Sequence, residues 1–102
     1  MPADECQKVV VLKKDMGLSH REFFASLATL AREVPCQVSD SGAILEYDSG
    51  EIHMTLGPES QRQLGLLKLP QTWVSLEFHN LSKAQRMLFL ERFDLAFRRG
   101  GG

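Results

Sequence analysis

The sequence predicts an α+β domain: one antiparallel sheet of four to six strands with two helices on it, in the order β-α-β(3–5)-α. Three observations carry this. A β-branched run, Val9-Val10-Val11, stands near the N-terminus. Two stretches, after Ser19 and after Ser82, set apolar residues at helical spacing behind a capping box. Between them, short segments are punctuated by two Asp-Ser-Gly tripeptides. Elements that segregate in this way pack as two layers, helices on one face of the sheet.

The first strand is predicted over Gln7–Leu12, because β-branched side chains suit a pleated surface. Lys13, Lys14 and Asp15 are expected to end it. The first helix has a well-marked start. Ser19 and Glu22 fit the S-x-x-E capping box, and Leu18 with Phe23 fits the hydrophobic staple. Phe23, Leu27, Leu30, Ala31 and Val34 then recur on one helical face, and Pro35 is the expected stop.

A meander follows. Asp40-Ser41-Gly42 and Asp48-Ser49-Gly50 read as turns in which aspartate bonds its own backbone and glycine supplies φ > 0. Strands are therefore expected at Gln37–Ser39, Ala43–Tyr47 and Glu51–Leu56. In the last, Ile52, Met54 and Leu56 point one way and Glu51, His53 and Thr55 the other. Gly57-Pro58 breaks the pattern. Glu59–Gln63 reads as a loop or one short turn, and Leu64–Pro70 as an edge strand or a loop over the sheet's end. Gln71–Phe78 is the last strand, with Thr72, Val74, Leu76 and Phe78 on one face and Trp73, Ser75 and Glu77 on the other.

The C-terminal helix, Ser82 to Arg99, is the element that the sheet is expected to cover. Phe89, Phe93 and Phe97 recur at i, i+4 and i+8, with Leu90 and Ala96 beside them. Ser82 and Gln85 form a second capping box, Arg98 and Arg99 complement the helix dipole, and Gly100 is the expected C-cap. The chain is read as a single domain over 1–102, with 1–5 and 100–102 disordered. The element order resembles a helix-grip or TATA-binding-protein-like topology, a likeness of layout that implies no activity.

Composition narrows the function classes. Twelve Lys and Arg oppose thirteen Asp and Glu in 102 residues, so the basic excess of a general nucleic-acid binder is missing. No stretch approaches the ~18–20 apolar residues of a membrane span, and no basic, apolar leader opens the chain. A cytoplasmic protein is expected, with no membrane partner and with nucleic acid disfavoured. Two cysteines, Cys6 and Cys36, are too few for a disulfide framework and are expected to be reduced.

Cys6, Cys36, His20, His53 and His79 are the thiol and imidazole groups, and none stands at C-x2-C, H-x3-H or H-E-x-x-H spacing, so no metal or cofactor is expected. The outward face of the meander sets His53 and Thr55 near Glu46 or Tyr47, with Trp73, Ser75 and Glu77 beside them; cross-strand polar pairing accounts for these residues without catalysis. No nucleophile, acid–base or nucleotide motif stands out, and the protein is read as non-catalytic. The last helix carries a second apolar stripe in Met87, Leu88 and Leu95, with Leu88 and Leu95 a heptad apart. Together with Trp73 it suggests a surface for a protein partner, most simply a second copy of the chain. The alternative is a carrier of a small apolar ligand held between the sheet, at Met54, and the stripe Phe89, Phe93 and Phe97.

Overall fold

The computed structural model describes residues 9–101, with side chains as far as Phe97. The elements are β1 (Val9–Met16), α1 (His20–Leu30), β2 (Cys36–Ser39), β3 (Gly42–Tyr47), β4 (Gly50–Leu56), β5 (Ser60–Leu64), β6 (Leu67–His79) and α2 (Lys83–Gly101). All strand pairs are antiparallel, and the spatial order is β1-β6-β4-β3-β2, with β5 pairing only with β6. The architecture is therefore α+β, one six-stranded antiparallel sheet with two helices.

Alternation divides the sheet into two unlike faces. Thr72, Val74, Leu76 and Phe78 of β6, Ile52, Met54 and Leu56 of β4, and Ala43 and Leu45 of β3 are buried on the inner face. Register places these residues side by side: Phe78 opposite Ile52, Leu76 opposite Met54, and Ile52 opposite Leu45. The helices complete the core with Phe23, Leu27, Leu30, Phe89, Phe93 and Phe97. The rings spend their surface on one another. Phe93 and Phe97 stack with centroids 4.3 Å apart, Phe23 lies 5.1 Å from Phe97, and Tyr47 meets Phe89 edge-on at 5.4 Å.

Both capping boxes form. Glu22 N donates to Ser19 Oγ (3.1 Å) and Ser19 N to Glu22 Oε1 (2.8 Å). Gln85 N donates to Ser82 Oγ (3.2 Å) and Ser82 N to Gln85 Oε1 (2.8 Å). Leu18 and Phe23, the expected staple, are both buried.

Four expectations need correction. First, β1 runs on to Met16 through Lys13, Lys14 and Asp15, because its ladder with β6 continues to Met16 opposite Thr72 and two of these polar residues, Lys14 and Asp15, find partners on neighbouring elements. Lys14 sets its Nζ over the Phe93 ring, 5.7 Å from the centroid, and 3.6 Å from Asp94 Oδ1. Asp15 accepts from Arg62 Nη2 and from Gln71 Nε2, both at 2.8 Å. Second, α1 ends at Leu30, short of Pro35. The next turn tightens through Glu33 N to Leu30 O (3.1 Å), which leaves Ala31 exposed and still buries Val34.

Third, Ser60–Leu64 is a strand, and the last strand begins at Leu67, not Gln71. The two form a hairpin arm that turns at Gly65-Leu66, with Gly65 at φ 61° as the first residue of a type II′ turn requires. Pro70 is tolerated because this part of β6 pairs on one side only. Fourth, α2 continues through Gly100 to Gly101, so Gly100 is not the stop; helical glycine costs only about 1 kcal/mol relative to alanine. The tripeptide glycines also serve differently from expectation. Asp48, not Gly50, takes positive φ (51°), while a Cβ on Gly42 would stand 1.9 Å from Met54 O and one on Gly50 2.0 Å from His79 O. They permit close approach of backbones. Cys6, and hence its pairing with Cys36, lies outside the described residues, as do residues 1–5, Gly102 and the side chains of Arg98 and Arg99.

Candidate functional site

The residues singled out from the sequence fall into three separate places. Phe89, Phe93, Phe97 and Met54 meet in the core, all buried. Met87, Leu88 and Leu95 lie on the solvent side of α2 and are 57%, 55% and 62% exposed. Trp73, 54% exposed, is on the opposite layer, on the outer face of β6 across from Asp15. The four proposed partner residues thus form two surfaces with the whole sheet between them.

The α2 surface is built by helical geometry. Turning Phe89, Phe93 and Phe97 onto the sheet leaves Leu88 and Leu95 on the far side, where neither α1 nor the β5–β6 arm covers them. Arg92, between them, pairs with Glu33 in the turn that follows α1. Beside this pair Thr29, Leu30, Leu95 and Ala96 line a shallow apolar dent of about 180 Å³. A second groove, about 360 Å³, lies between α1 and the edge strand β2 and is lined by Phe24, Leu27, Ala28, Ala31, Arg32 and Val38. A wider cleft of about 530 Å³ is charged at its walls, with Glu33, Glu46, Asp48 and Arg92.

The arm adds apolar surface that sequence reasoning left unassigned. Leu64, Leu67 and Leu69 are exposed and Leu66, at the turn, is fully so. Its root is fixed by the Asp15 contacts with Arg62 and Gln71. At the same end His20 Nε2 lies 2.7 Å from Gly57 O, and His20 N donates to Glu59 Oε1 (2.8 Å), setting a carboxylate at the start of α1.

The outer face of the two central strands is polar. Two tripeptides of one pattern, Glu51-Ile52-His53 on β4 and Glu77-Phe78-His79 on β6, run antiparallel. Register sets His53 opposite Glu77 and Glu51 opposite His79. The imidazoles come together, centroids 4.2 Å apart and planes 35° from parallel. Glu51 Oε1 lies 2.9 Å from His53 Nε2, and Glu77 Oε1 3.3 Å from His79 Nε2. One ligand atom from each of His53, Glu77 and His79 lies within 4.8 Å of the others. Thr55 and Ser75 stand opposite each other in the next row, and Glu46 stands opposite Glu51. Dismissing metal on spacing alone thus overlooked a grouping that the sheet assembles; the E-x-H pattern, present twice, was the available signal.

Among the described residues no helix is long and apolar enough to cross a membrane. Comparison with known proteins finds no matching family model, no matching curated protein and no matching solved structure.

Proposed function

We propose that this protein is a non-catalytic interaction module that associates with a second copy of itself through the outer stripe of α2. The observation that carries this reading is the exposure of Met87, Leu88 and Leu95 on a helix whose other side is fully committed to the core. Large apolar side chains grouped on one helix face are characteristic of interfaces. The stripe is also self-complementary. Leu88 and Leu95 lie equally far from the point between Glu91 and Arg92. A two-fold axis through that point sets Leu88 of one copy against Leu95 of the other, and Glu91 against Arg92, as an isologous contact requires. Trp73, on the far layer, stays outside this interface and is available to a further protein partner.

The carrier reading is weaker. Phe89, Phe93, Phe97 and Met54 are packed against one another and their neighbours, and the apolar grooves described above lie elsewhere. The helix-grip or TATA-binding-protein-like layout belongs to the proposal as an analogy, supported by β1 lying beside β6 with the helices on one face; it bears on fold and not on ligand.

Sedimentation equilibrium over a range of concentrations tests the proposal. The wild type should approach a dimer, and Leu88→Asp, with an unchanged circular dichroism spectrum, should weaken association at least about tenfold, the cost of a buried interface anchor. A wild type that remains monomeric at its highest attainable concentration overturns it.

A further inference from the structure

We infer that His53, Glu77 and His79 form a binding site for a divalent transition-metal ion of the zinc class, with Glu51 orienting His53. This site is on the outer face of the sheet and is independent of the α2 surface.

Four observations converge. The three ligand atoms already lie within 4.8 Å of one another. The Glu77–His79 pair needs almost no movement: two donors held about 2.0–2.1 Å from a tetrahedral zinc stand about 3.3–3.4 Å apart, and Glu77 Oε1 and His79 Nε2 are 3.3 Å apart. The side chains project from β4 and β6, paired strands inside the sheet, so their origins are fixed by ladder bonds and by the buried residues between them, Ile52 and Phe78. All three are half-buried, and register flanks them with Val11 beside Glu77 and Ile44 beside His53.

Charge points the same way. The row Val9-His79-Glu51-Glu46 and the row Val11-Glu77-His53-Ile44 contain three carboxylates and neither lysine nor arginine. Glu46 and Glu51 stand directly opposite each other, an arrangement of like charges that a nearby cation relieves. Two imidazoles with one carboxylate suit zinc, nickel, copper or iron rather than magnesium or calcium, which prefer all-oxygen shells. Three protein ligands leave the fourth position of a tetrahedral ion for water. Glu51, 2.9 Å from His53 Nε2, would supply the carboxylate–histidine contact that orients a metal-bound imidazole, with His53 then binding the ion through its other nitrogen, Nδ1.

The test is calorimetric titration of tag-free, chelator-stripped protein with zinc chloride, alongside NMR of the imidazole resonances. One zinc per chain should bind, shifting the His53 and His79 resonances and leaving those of His20 in place. His53→Gln or His79→Gln should weaken binding by more than about tenfold, Glu51→Gln by about tenfold, and His20→Gln not at all. The NMR readout uses the wild type, so it stands even where a variant folds poorly. Absence of saturable binding, or zinc that moves His20 but neither His53 nor His79, overturns the proposal. So does affinity unchanged in the His53→Gln, His79→Gln double variant.

Discussion

The two faces of the sheet are built from the same strands and differ in chemistry: the inner face is almost wholly apolar, and the outer face of the central strands carries Glu and His. On β6, Thr72, Val74, Leu76 and Phe78 are buried under the helices, while Trp73, Ser75, Glu77 and His79 alternate with them toward water. On β4, Ile52 and Met54 alternate with Glu51 and His53 in the same way. The inner set holds the layers together through area removed from water. The outer set is free of that duty, so its Glu and His residues are available for recognition. A backbone fixed by one face therefore pre-positions the other, and the inner residues act as the rigid support of whatever the outer ones bind.

The strongest way to break this comparison is to truncate one aromatic on each side. Phe93 is buried on the inner side of α2 between Phe89 and Phe97, with the Lys14 ammonium over its ring. Phe93→Ala should cost about 3–5 kcal/mol by urea unfolding, a large share of the ~5–15 kcal/mol that stabilises a domain of this kind. Trp73→Ala, on the open face, should cost about 1 kcal/mol or less. Equal losses would mean that the outer face is covered in solution, and the division between structural and free faces would fall.

Much of the inner face was legible in the sequence because its signals are local. The capping boxes at Ser19 and Ser82, the 3.6-residue recurrence of Phe89, Phe93 and Phe97, and the alternation of Ile52, Met54 and Leu56 each lie within a few residues. The arm escaped because β5 is exposed along its whole length, so burial imposes no alternation on Ser60–Leu64. Pro70 then disguised the start of β6, although Gly65 marked the turn. The histidine cluster escaped for a different reason. Glu51-Ile52-His53 and Glu77-Phe78-His79 are separated by more than twenty residues, and only the non-local pairing of β4 with β6 sets them together. The split between Trp73 and the α2 stripe is likewise a matter of layers, which helix and strand periods alone do not fix.

A smaller effect sharpens the comparison at the rim of the inner layer. α1 covers the sheet with Phe23 and Leu27, and its first turn is held by Ser19 and Glu22. Ser19→Ala removes the acceptor for Glu22 N and should cost about 1 kcal/mol, with Ser19→Asp restoring most of it. Urea midpoints measure both. A loss that Ser19→Asp does not recover would place the contribution of Ser19 in packing beside Leu18 instead of in the cap.

The smallest effect marks where the inner layer ends. Cys36 lies on the inner row at the edge strand, opposite Leu45, and is half-buried. Desolvation pushes its thiol pKa up, so the reactive thiolate is scarcer in the folded chain than in the unfolded one. In a Cys6→Ser background, iodoacetamide should therefore label Cys36 more slowly in the folded protein than in urea at neutral pH. The sign of the pH dependence follows from the raised value: as pH climbs through the folded pKa both states become thiolate, and the gap in rate narrows toward the steric difference alone. A gap that stays constant with pH would assign the slowing to access, not to desolvation, and would place Cys36 outside the water-excluding layer that Leu45 belongs to.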